Sequence, residues 1–229
     1  MILILLLIGL EPGERLDYNA QYKFLNIGWM TMEIKDTLTY EGQPCLTIVS
    51  ILASNPGLHF LFSLNDTITA ITTCDSLLPL YVEENLHEGK FTAHTRQVFD
   101  QAGGTVVYDD SLTLPIPTPT RDLLSFWYYL RTIPLKVGTS IPINVHKSKK
   151  TYTVDCPVTK QETVKTDAGT FPTLLVEPQA ADKGIFGSKE AMTIWYADTA
   201  GRYPVQIKTA IKYGKITFKL QRIQLEGIH

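Results

Sequence analysis

The sequence has few of the residues that build metal centres and redox sites. Its three cysteines are Cys45, Cys74 and Cys156, and no two of them form a C-x-x-C pair. This spacing excludes zinc ribbons and thioredoxin-type redox centres. An odd number leaves at least one thiol unpaired. We therefore expect either a disulfide between the first two with one free thiol, or three separate buried thiols.

An excess of charge of one sign is also missing. The chain has 21 basic and 23 acidic residues spread along its length, and its formal net charge is −2. Such a chain has no overall field that would gather phosphates or anionic lipid head groups. Nucleic acid is therefore not expected as a partner.

Catalytic motifs are absent from the sequence as well. It contains no G-x-S-x-G elbow and no glycine-rich loop that leads into a helix. The five histidines have no short metal-ligand spacing, and only His87 and His94 are placed to face each other across a hairpin. Glu83 and Glu84 are adjacent on a predicted strand, so they point to opposite faces and cannot converge as an acid and base pair. We expect no catalytic residues, no cofactor and no metal, and the protein is predicted not to be an enzyme.

Long apolar runs are limited to residues 1–10. As a helix, such a run rises about 15 Å, which is too short for a hydrocarbon core of ~30 Å. It is typical of the apolar region of a secretory signal peptide, although a basic start and a small-x-small cleavage site are missing. The alternative is a buried first element of the mature domain. We predict a signal peptide remnant over 1–10, a single antiparallel β domain over 11–229, no transmembrane span, and a location in the periplasm or cell envelope.

Residues that favour strands and turns are plentiful. Thr, Ile, Val, Tyr and Phe are common, and 15 Gly and 13 Pro are scattered between them. Apolar and polar residues alternate strictly from Leu16 to Phe24, which predicts a strand with one buried face. The pattern resumes after Asn26, and Gly28 inside it predicts a bulge or a close backbone approach. Further strand patterns joined by turns favour a mainly β protein with a meander topology.

One short amphipathic helix is predicted between the strands. Residues 121–131 carry apolar side chains at offsets of three and four, after a proline-rich segment that is extended. Thr120 is placed to cap the start of this helix, and Pro134 prevents its continuation. Strand patterns resume from Ser140 to Ile223, and they include separate strands at 151–158 and 162–166. The whole chain after the leader is therefore expected to form one domain.

Several stretches resemble a known family in their order and spacing. They are YNAQYKFLNIGWMTMEI at 18–34, RDLLSFWYYLRTIPLKVG at 121–138, VKTDAGTFPTLLVEP at 164–178, IWYADTAGRYPVQIK at 194–208 and KYGKITFKL at 212–220. Together they resemble the bacterial exported proteins grouped as domain of unknown function 3108. The resemblance implies a large curved antiparallel sheet, a half-open barrel or clam-like form similar to the lipoprotein-carrier proteins of the Gram-negative envelope. That family has no established catalytic residues, so none is carried over.

Five residues are candidates for ligand binding. Ile185 and Phe186 are large apolar residues in a glycine-containing loop, which can form a lip over a pocket or close one end of the sheet. Phe60 and Phe62 belong to an apolar segment after a turn, and Trp127 lies on the helix expected to cover the concave side of the sheet. Core packing is the alternative for each of them.

Two functions from different classes fit these features. The first is an exported envelope protein that binds a hydrophobic or lipid-like ligand, such as an acyl chain, in the curved sheet without catalysis. The alternative is an envelope protein-protein interaction or scaffolding module without a ligand cavity. A cavity of about 300 Å³ or more favours the first function, and an exposed apolar patch without a cavity favours the second.

Overall fold

Strands dominate the structure, a computed structural model that describes residues 9–60, 62–180, 192–211 and 214–225. The described residues form sixteen strands and one α-helix, α1 (Leu123–Thr132), with a single 3₁₀ turn at Pro56–Leu58. The strands before the helix are β1 (Glu14–Tyr22), β2 (Leu25–Tyr40), β3 (Gln43–Ser54), β4 (Asn65–Thr73), β5 (Pro79–Glu88), β6 (Phe91–Asp100), β7 (Thr105–Tyr108), β8 (Leu112–Pro115) and β9 (Thr120–Arg121). Those after it are β10 (Ser140–Lys147), β11 (Lys150–Thr166), β12 (Gly169–Val176), β13 (Gln179–Ala180), β14 (Met192–Ala197), β15 (Pro204–Ile211) and β16 (Gly214–Leu225).

All these strands belong to one sheet. Its order is β8-β7-β6-β5-β4-β3-β2-β1-β16-β15-β14-β12-β11-β10-β9, and β13 pairs with β11 outside this path. The first and last strands pair with each other, so two meanders run outward from the middle of the sheet. Every pair is antiparallel except the short β9–β10 pair. The predicted large antiparallel sheet is confirmed.

The sheet curves until its two ends meet. Tyr108 on β7, near one edge, has its Oη 2.8 Å from Nε2 of His146 on β10, near the other edge. The Gln101 side chain donates to the Thr120 carbonyl oxygen at 2.8 Å and accepts from the Thr120 N–H at 3.2 Å. Side chains rather than a strand ladder therefore join the two edges, and the curved, unclosed form implied by the family resemblance is confirmed.

The interior of this curved sheet holds the core and the helix. Along β1 the inward positions Leu16, Tyr18 and Ala20 are buried, as the alternating pattern predicts, and so is Glu14 before them. Helix α1 contacts β3, β4, β9 and β10, so it touches strands from both arms of the sheet. Most of its side chains are buried in consequence, which is the reason for its strongly apolar sequence.

The start of the helix differs from the prediction. Thr120 lies in β9, and Asp122 is the residue that caps the helix. The carboxylate of Asp122 accepts from the N–H groups of Leu124 at 2.8 Å and Ser125 at 3.1 Å, while Ser125 Oγ accepts from the Asp122 N–H at 3.1 Å. This capping box satisfies three N–H groups, and its negative charge suits the helix N-terminus. The prediction of a Thr120 cap was wrong because Thr120 and Arg121 both pair with β10, so the first helical residue is Leu123 and the residue before it is Asp122.

One long strand replaces two predicted strands in the second half. The patterns at 151–158 and 162–166 belong to the single strand β11. Its first half pairs with β10 and its second half with β12, and the register with β12 shifts between Val158 and Lys160. A strand that changes neighbours in this way has exposed polar residues in its middle, and these resemble a turn in the sequence.

The three cysteines are buried and have free thiols. Burial raises the pKa of Cys45, of Cys74 and of Cys156. Thiols that are buried and protonated are poor nucleophiles. Of the two arrangements expected from the sequence, the structure has the three separate thiols.

A buried ion pair fixes the helix inside the sheet. Arg131 at the end of α1 donates to both carboxylate oxygens of Glu14 on β1, at 2.5 and 2.7 Å, and both side chains are 1% exposed. The same guanidinium donates to the Gly201 carbonyl oxygen at 2.9 Å. Burial by itself would lower the pKa of Arg131, but the charge and hydrogen bonds of Glu14 raise it above its ordinary value. The guanidinium of Arg131 therefore stays charged.

Removing one partner of this pair will destabilise the protein strongly. We expect Glu14→Gln to lower the free energy of unfolding by about 3–5 kcal/mol, because it leaves a buried guanidinium without a counter-charge. The control is Glu33→Gln, which removes partly exposed pairs with Arg15 at 3.8 Å and Lys35 at 3.9 Å and should cost no more than about 1 kcal/mol. Urea denaturation measures both. Equal losses for the two variants would contradict this role of the pair.

The contact between the sheet edges predicts a dependence of stability on pH. Burial lowers the pKa of His146 to about 4, whereas histidine in an unfolded chain titrates near about 6.5. As the pH falls through this window, the unfolded chain takes up a proton that the folded chain does not, so stability is lost. Urea midpoints measured from about pH 7 to about pH 4 should fall less steeply for His146→Gln than for the wild type. The control for loss of an exposed imidazole is His87→Gln. If the urea midpoint of His146→Gln falls with pH as steeply as that of the wild type, His146 is not the source of the pH dependence.

Candidate functional site

An apolar cavity of about 490 Å³ lies at one end of the sheet interior. It lies beside the turns that connect β1 to β2, β3 to β4 and β15 to β16. The residues that line it are Ala20, Tyr22, Ile27, Gly28, Leu52, Ala53, Ser54, Leu58, Phe62, Leu64, Ile211, Ile216 and Phe218. None of these side chains carries a charge.

Small residues in register create this space. Ala20 on β1 pairs with Gly28 on β2, and Gly28 pairs with Ser54 on β3, so three neighbouring strands have little side-chain volume at one level. A Cβ at Gly28 would collide with the carbonyl oxygen of Ala53. The register of β1 and β2 shifts next to this position, between Ala20 and Gln21. The close backbone approach predicted at Gly28 is therefore confirmed.

The cavity wall has little unused hydrogen-bonding capacity. The hydroxyl of Ser54 accepts from the Leu64 N–H at 2.9 Å and donates to the Leu64 carbonyl oxygen at 3.4 Å. Ser54 thus ties β3 to the start of the next segment and has no need of a ligand. With the polar groups engaged in this way, the surface offered to a ligand is hydrocarbon, which suits an apolar group.

A second, polar cavity of about 300 Å³ adjoins the first, and Leu52 lines both. Its wall carries four carboxyl groups and one lysine: Asp66, Glu84, Glu88, Asp122 and Lys147. Burial raises the pKa of Glu84, and the charge of Asp122 raises it further. Burial likewise raises the pKa of Glu88, together with the charge of Asp66. This second cavity disfavours a hydrocarbon chain, because the chain would have to desolvate these groups.

The adjacent residues Glu83 and Glu84 point to opposite faces, as their sequence positions require. Glu84 lines the polar cavity, whereas Glu83 contacts His94 at 2.6 Å and Arg96 at 3.5 Å on the outer face. The hydrogen bond to His94 is the main reason for the lowered pKa of Glu83. Among the described residues, no group of three His, Cys, Asp or Glu side chains is arranged to hold a metal ion.

The residues predicted to bind a ligand fall in different places. Phe62 lines the apolar cavity, and Phe60 lies beside it but is 81% exposed. Trp127 lines the polar cavity instead, and its indole N–H has no acceptor among the described residues. Ile185 and Phe186 lie outside the described residues. The structure therefore brings Phe60 and Phe62 to one end of the sheet and places Trp127 at the other cavity.

Sequence reasoning missed the residues that open the cavity. Ala20 interrupts the two tyrosines Tyr18 and Tyr22 on the inward face of β1, and this small residue among large ones is the signal that was available. Ser54 carries no such signal, because its place beside Gly28 depends on the register between strands.

The described residues contain no helix with the length and apolar composition needed to cross a bilayer. Helix α1 has ten residues.

The solved structures that this chain resembles have very different sequences. A β-barrel-like protein of domain of unknown function DUF1849 from Brucella abortus matches with a TM-score of 0.63 at 11% identity, over 95% of this chain and 99% of that one. An exported-protein candidate with a YmcC-like fold from Bacteroides fragilis has a TM-score of 0.39 at 12% identity, over 93% and 96%. A lipoprotein candidate from Parabacteroides distasonis has a TM-score of 0.38 at 12% identity, over 93% and 95%. The first of these supports the fold alone, and the other two are too distant to support an inference.

The family assignment comes from the sequence comparison. No curated protein matches the chain. The family model described as protein of unknown function (DUF3108) matches residues 17–221, which is most of the chain and includes the strands that enclose the apolar cavity. The chain therefore belongs to the DUF3108 family.

Proposed function

We propose that this protein is a non-enzymatic binding protein of the cell envelope, and that it holds an acyl chain or a comparable lipid-like group in the apolar cavity. The observation that carries the proposal is the cavity itself, with about 490 Å³ of space and an uncharged lining. Ligand sites are commonly concave, mostly apolar and formed before the ligand binds, with volumes of about 300–1,000 Å³. The cavity has all of these properties.

The energetics favour a hydrocarbon ligand. Each methylene that leaves water for such a cavity contributes roughly 0.8 kcal/mol. The space depends on the backbone approach at Gly28 and on the paired positions of Ala20 and Ser54, so the strands do not have to move apart to admit a ligand. A site that is formed in advance avoids the cost of ordering it on binding.

The polar cavity limits how far the chain of the ligand extends. Leu52 lines both cavities, and the wall of the second carries the carboxyl groups of Glu84 and Asp66. A hydrocarbon chain that enters the apolar cavity therefore ends near Leu52. The proposal is of one short or folded apolar chain rather than a channel through the sheet.

Two further points support the envelope and binding roles. The apolar run at 1–10 has the pattern of a signal peptide, which supports export, and residues 1–8 lie outside the described part. Among the described residues, the three thiols are buried with raised pKa values, and no group of three His, Cys, Asp or Glu side chains is arranged to hold a metal ion; both observations support binding without catalysis. The alternative of an interaction module without a ligand cavity is disfavoured by the cavity.

Filling the cavity will weaken ligand binding. We expect Ala20→Phe to reduce the affinity for decanol at least about tenfold, because excluding two methylenes from the cavity is enough for this loss. The measurement is displacement of Nile red, a dye whose emission changes in apolar surroundings. The matched control is Ala102→Phe on the exposed β6–β7 turn, which should bind as the wild type does.

A second variant separates loss of binding from loss of folding. Ile216→Phe fills the cavity from β16 and leaves the small residues of β1 to β3 unchanged. Both cavity variants should melt cooperatively and lose decanol together. If folded Ala20→Phe and Ile216→Phe proteins bind decanol as tightly as the wild type, the apolar cavity is not the site.

A further inference from the structure

The end of the sheet that holds the cavity is unusually apolar on its outside. Six large apolar side chains are strongly exposed on its turns, and we call them the apolar rim. They are Phe24, Leu25, Phe60, Phe62, Phe91 and Ile211. The other strongly exposed large apolar residues of the described part are Trp29, Leu112, Val137 and Leu225, which lie outside these turns. Exposed apolar residues that cluster in this way mark an interaction surface.

Hydrogen bonds join the turns of the apolar rim into one surface. The Gly89 N–H of the β5–β6 turn donates to the Ser63 carbonyl oxygen at 2.7 Å, and the Asn55 N–H donates to the Ile27 carbonyl oxygen at 2.8 Å. Tyr22 at the end of β1 pairs with Ile216, next to the β15–β16 turn. The rim therefore extends across neighbouring hairpins rather than belonging to one loop.

The rim surrounds the entrance of the apolar cavity. Phe62 and Ile211 belong to both, since they line the cavity and are also exposed. Phe24 lies on the β1–β2 turn and is 88% exposed, and Phe91 follows the β5–β6 turn and is 55% exposed. Neither of them lines the cavity. A ligand that enters from this end passes between these side chains.

Positive charge accompanies the apolar side chains. The described turns of this end carry three exposed lysines, Lys23, Lys90 and Lys215, and only one carboxylate, Glu88. The residues of these turns are 22–26, 55–60, 62–64, 88–91, 211 and 214–215. These described turn residues therefore have a formal charge of +2, whereas the formal net charge of the whole chain is −2. The even spread of charge along the sequence conceals this grouping, because the three lysines lie far apart in the chain.

We propose that the apolar rim docks on the surface of an anionic lipid bilayer. Apolar side chains that enter the boundary between head groups and acyl chains, together with lysines that attract anionic head groups, are the features that hold peripheral proteins on membranes. Docking at this end brings the cavity entrance to the lipid. The inference extends the proposed function, and it can fail while ligand binding in the cavity holds, or hold while that binding fails.

The test is sedimentation of the full chain with large vesicles. One set contains phosphatidylglycerol and phosphatidylethanolamine, and the other contains only phosphatidylcholine. We expect binding to the anionic set, weaker binding to the zwitterionic set, and a loss of affinity as salt is raised toward 1 M, where the screening length is about 3 Å. Equal binding to both sets, or no dependence on salt, would overturn the role of the lysines.

Matched variants locate the docking surface. Phe24→Ser combined with Phe91→Ser should weaken binding to anionic vesicles at least about tenfold, because two side chains no longer enter the interface. The control combines Val137→Ser with Leu225→Ser, which removes two similarly exposed apolar residues away from the rim and should leave vesicle binding unchanged. Equal effects of the two pairs would overturn the proposal, and so would binding to neither vesicle set, which would leave the apolar rim to a protein partner.

Nile red displacement by decanol distinguishes a failure of membrane docking from a failure of ligand binding in the cavity. Phe24 and Phe91 do not line the cavity, so the rim variant should keep the affinity of the wild type for decanol while it loses the vesicles. A rim variant that loses decanol and vesicles equally would mean that one apolar surface accounts for both, and the separate docking surface would be rejected.

Discussion

Arg131 and Glu14 meet where the end of helix α1 reaches the first strand, and each side chain is 1% exposed. Two charges at this depth are stable only when each compensates the other and the remaining N–H donors of the guanidinium have acceptors. Here the Gly201 carbonyl oxygen is such an acceptor. Glu14 is on the strand that pairs with the last strand of the chain. The ion pair thus fixes the helix at the place where the two meanders join.

The position of the helix decides where the interior is filled and where it is open. The helix occupies the region between the two arms of the sheet, and Tyr108 and His146 join the edges of these arms beside it. No helix of the described residues lies above the opposite end of β1 to β3, and Ala20, Gly28 and Ser54 leave space there. One curved sheet therefore has a packed region that supports stability and an open region suited to a ligand.

Local patterns in the sequence predicted the local structure well. Alternation gave the strands around Leu16 and Tyr18, and offsets of three and four gave the helix, because these periods follow directly from backbone geometry. The helix start was misplaced because Thr120 and Asp122 are both good caps, and only the pairing of Thr120 and Arg121 with β10 decides between them. The curvature of the sheet was predicted from the resemblance to the family, because the periodicity of the sequence does not indicate curvature.

The site depended on relations that a single sequence does not display. Phe60 and Phe62 are two residues apart, yet only Phe62 reaches the cavity, since the segment between β3 and β4 is not a regular strand. Ala20 and Ser54 come together through strand register, and the three rim lysines come together through turns that are distant in the chain. Net charge and composition average over such groupings, and for this reason they predicted no attraction for anionic lipid. The single-domain boundaries and the leader at 1–10 stay predictions.

The central claim is that the apolar cavity receives a hydrocarbon chain, and a crystal of the protein soaked with a fatty alcohol brominated at its chain end tests it most directly. The account predicts an anomalous peak for bromine inside the cavity, near Leu52 and Phe218. A peak only on the outer surface, or an empty cavity at a saturating concentration of the alcohol, would contradict it.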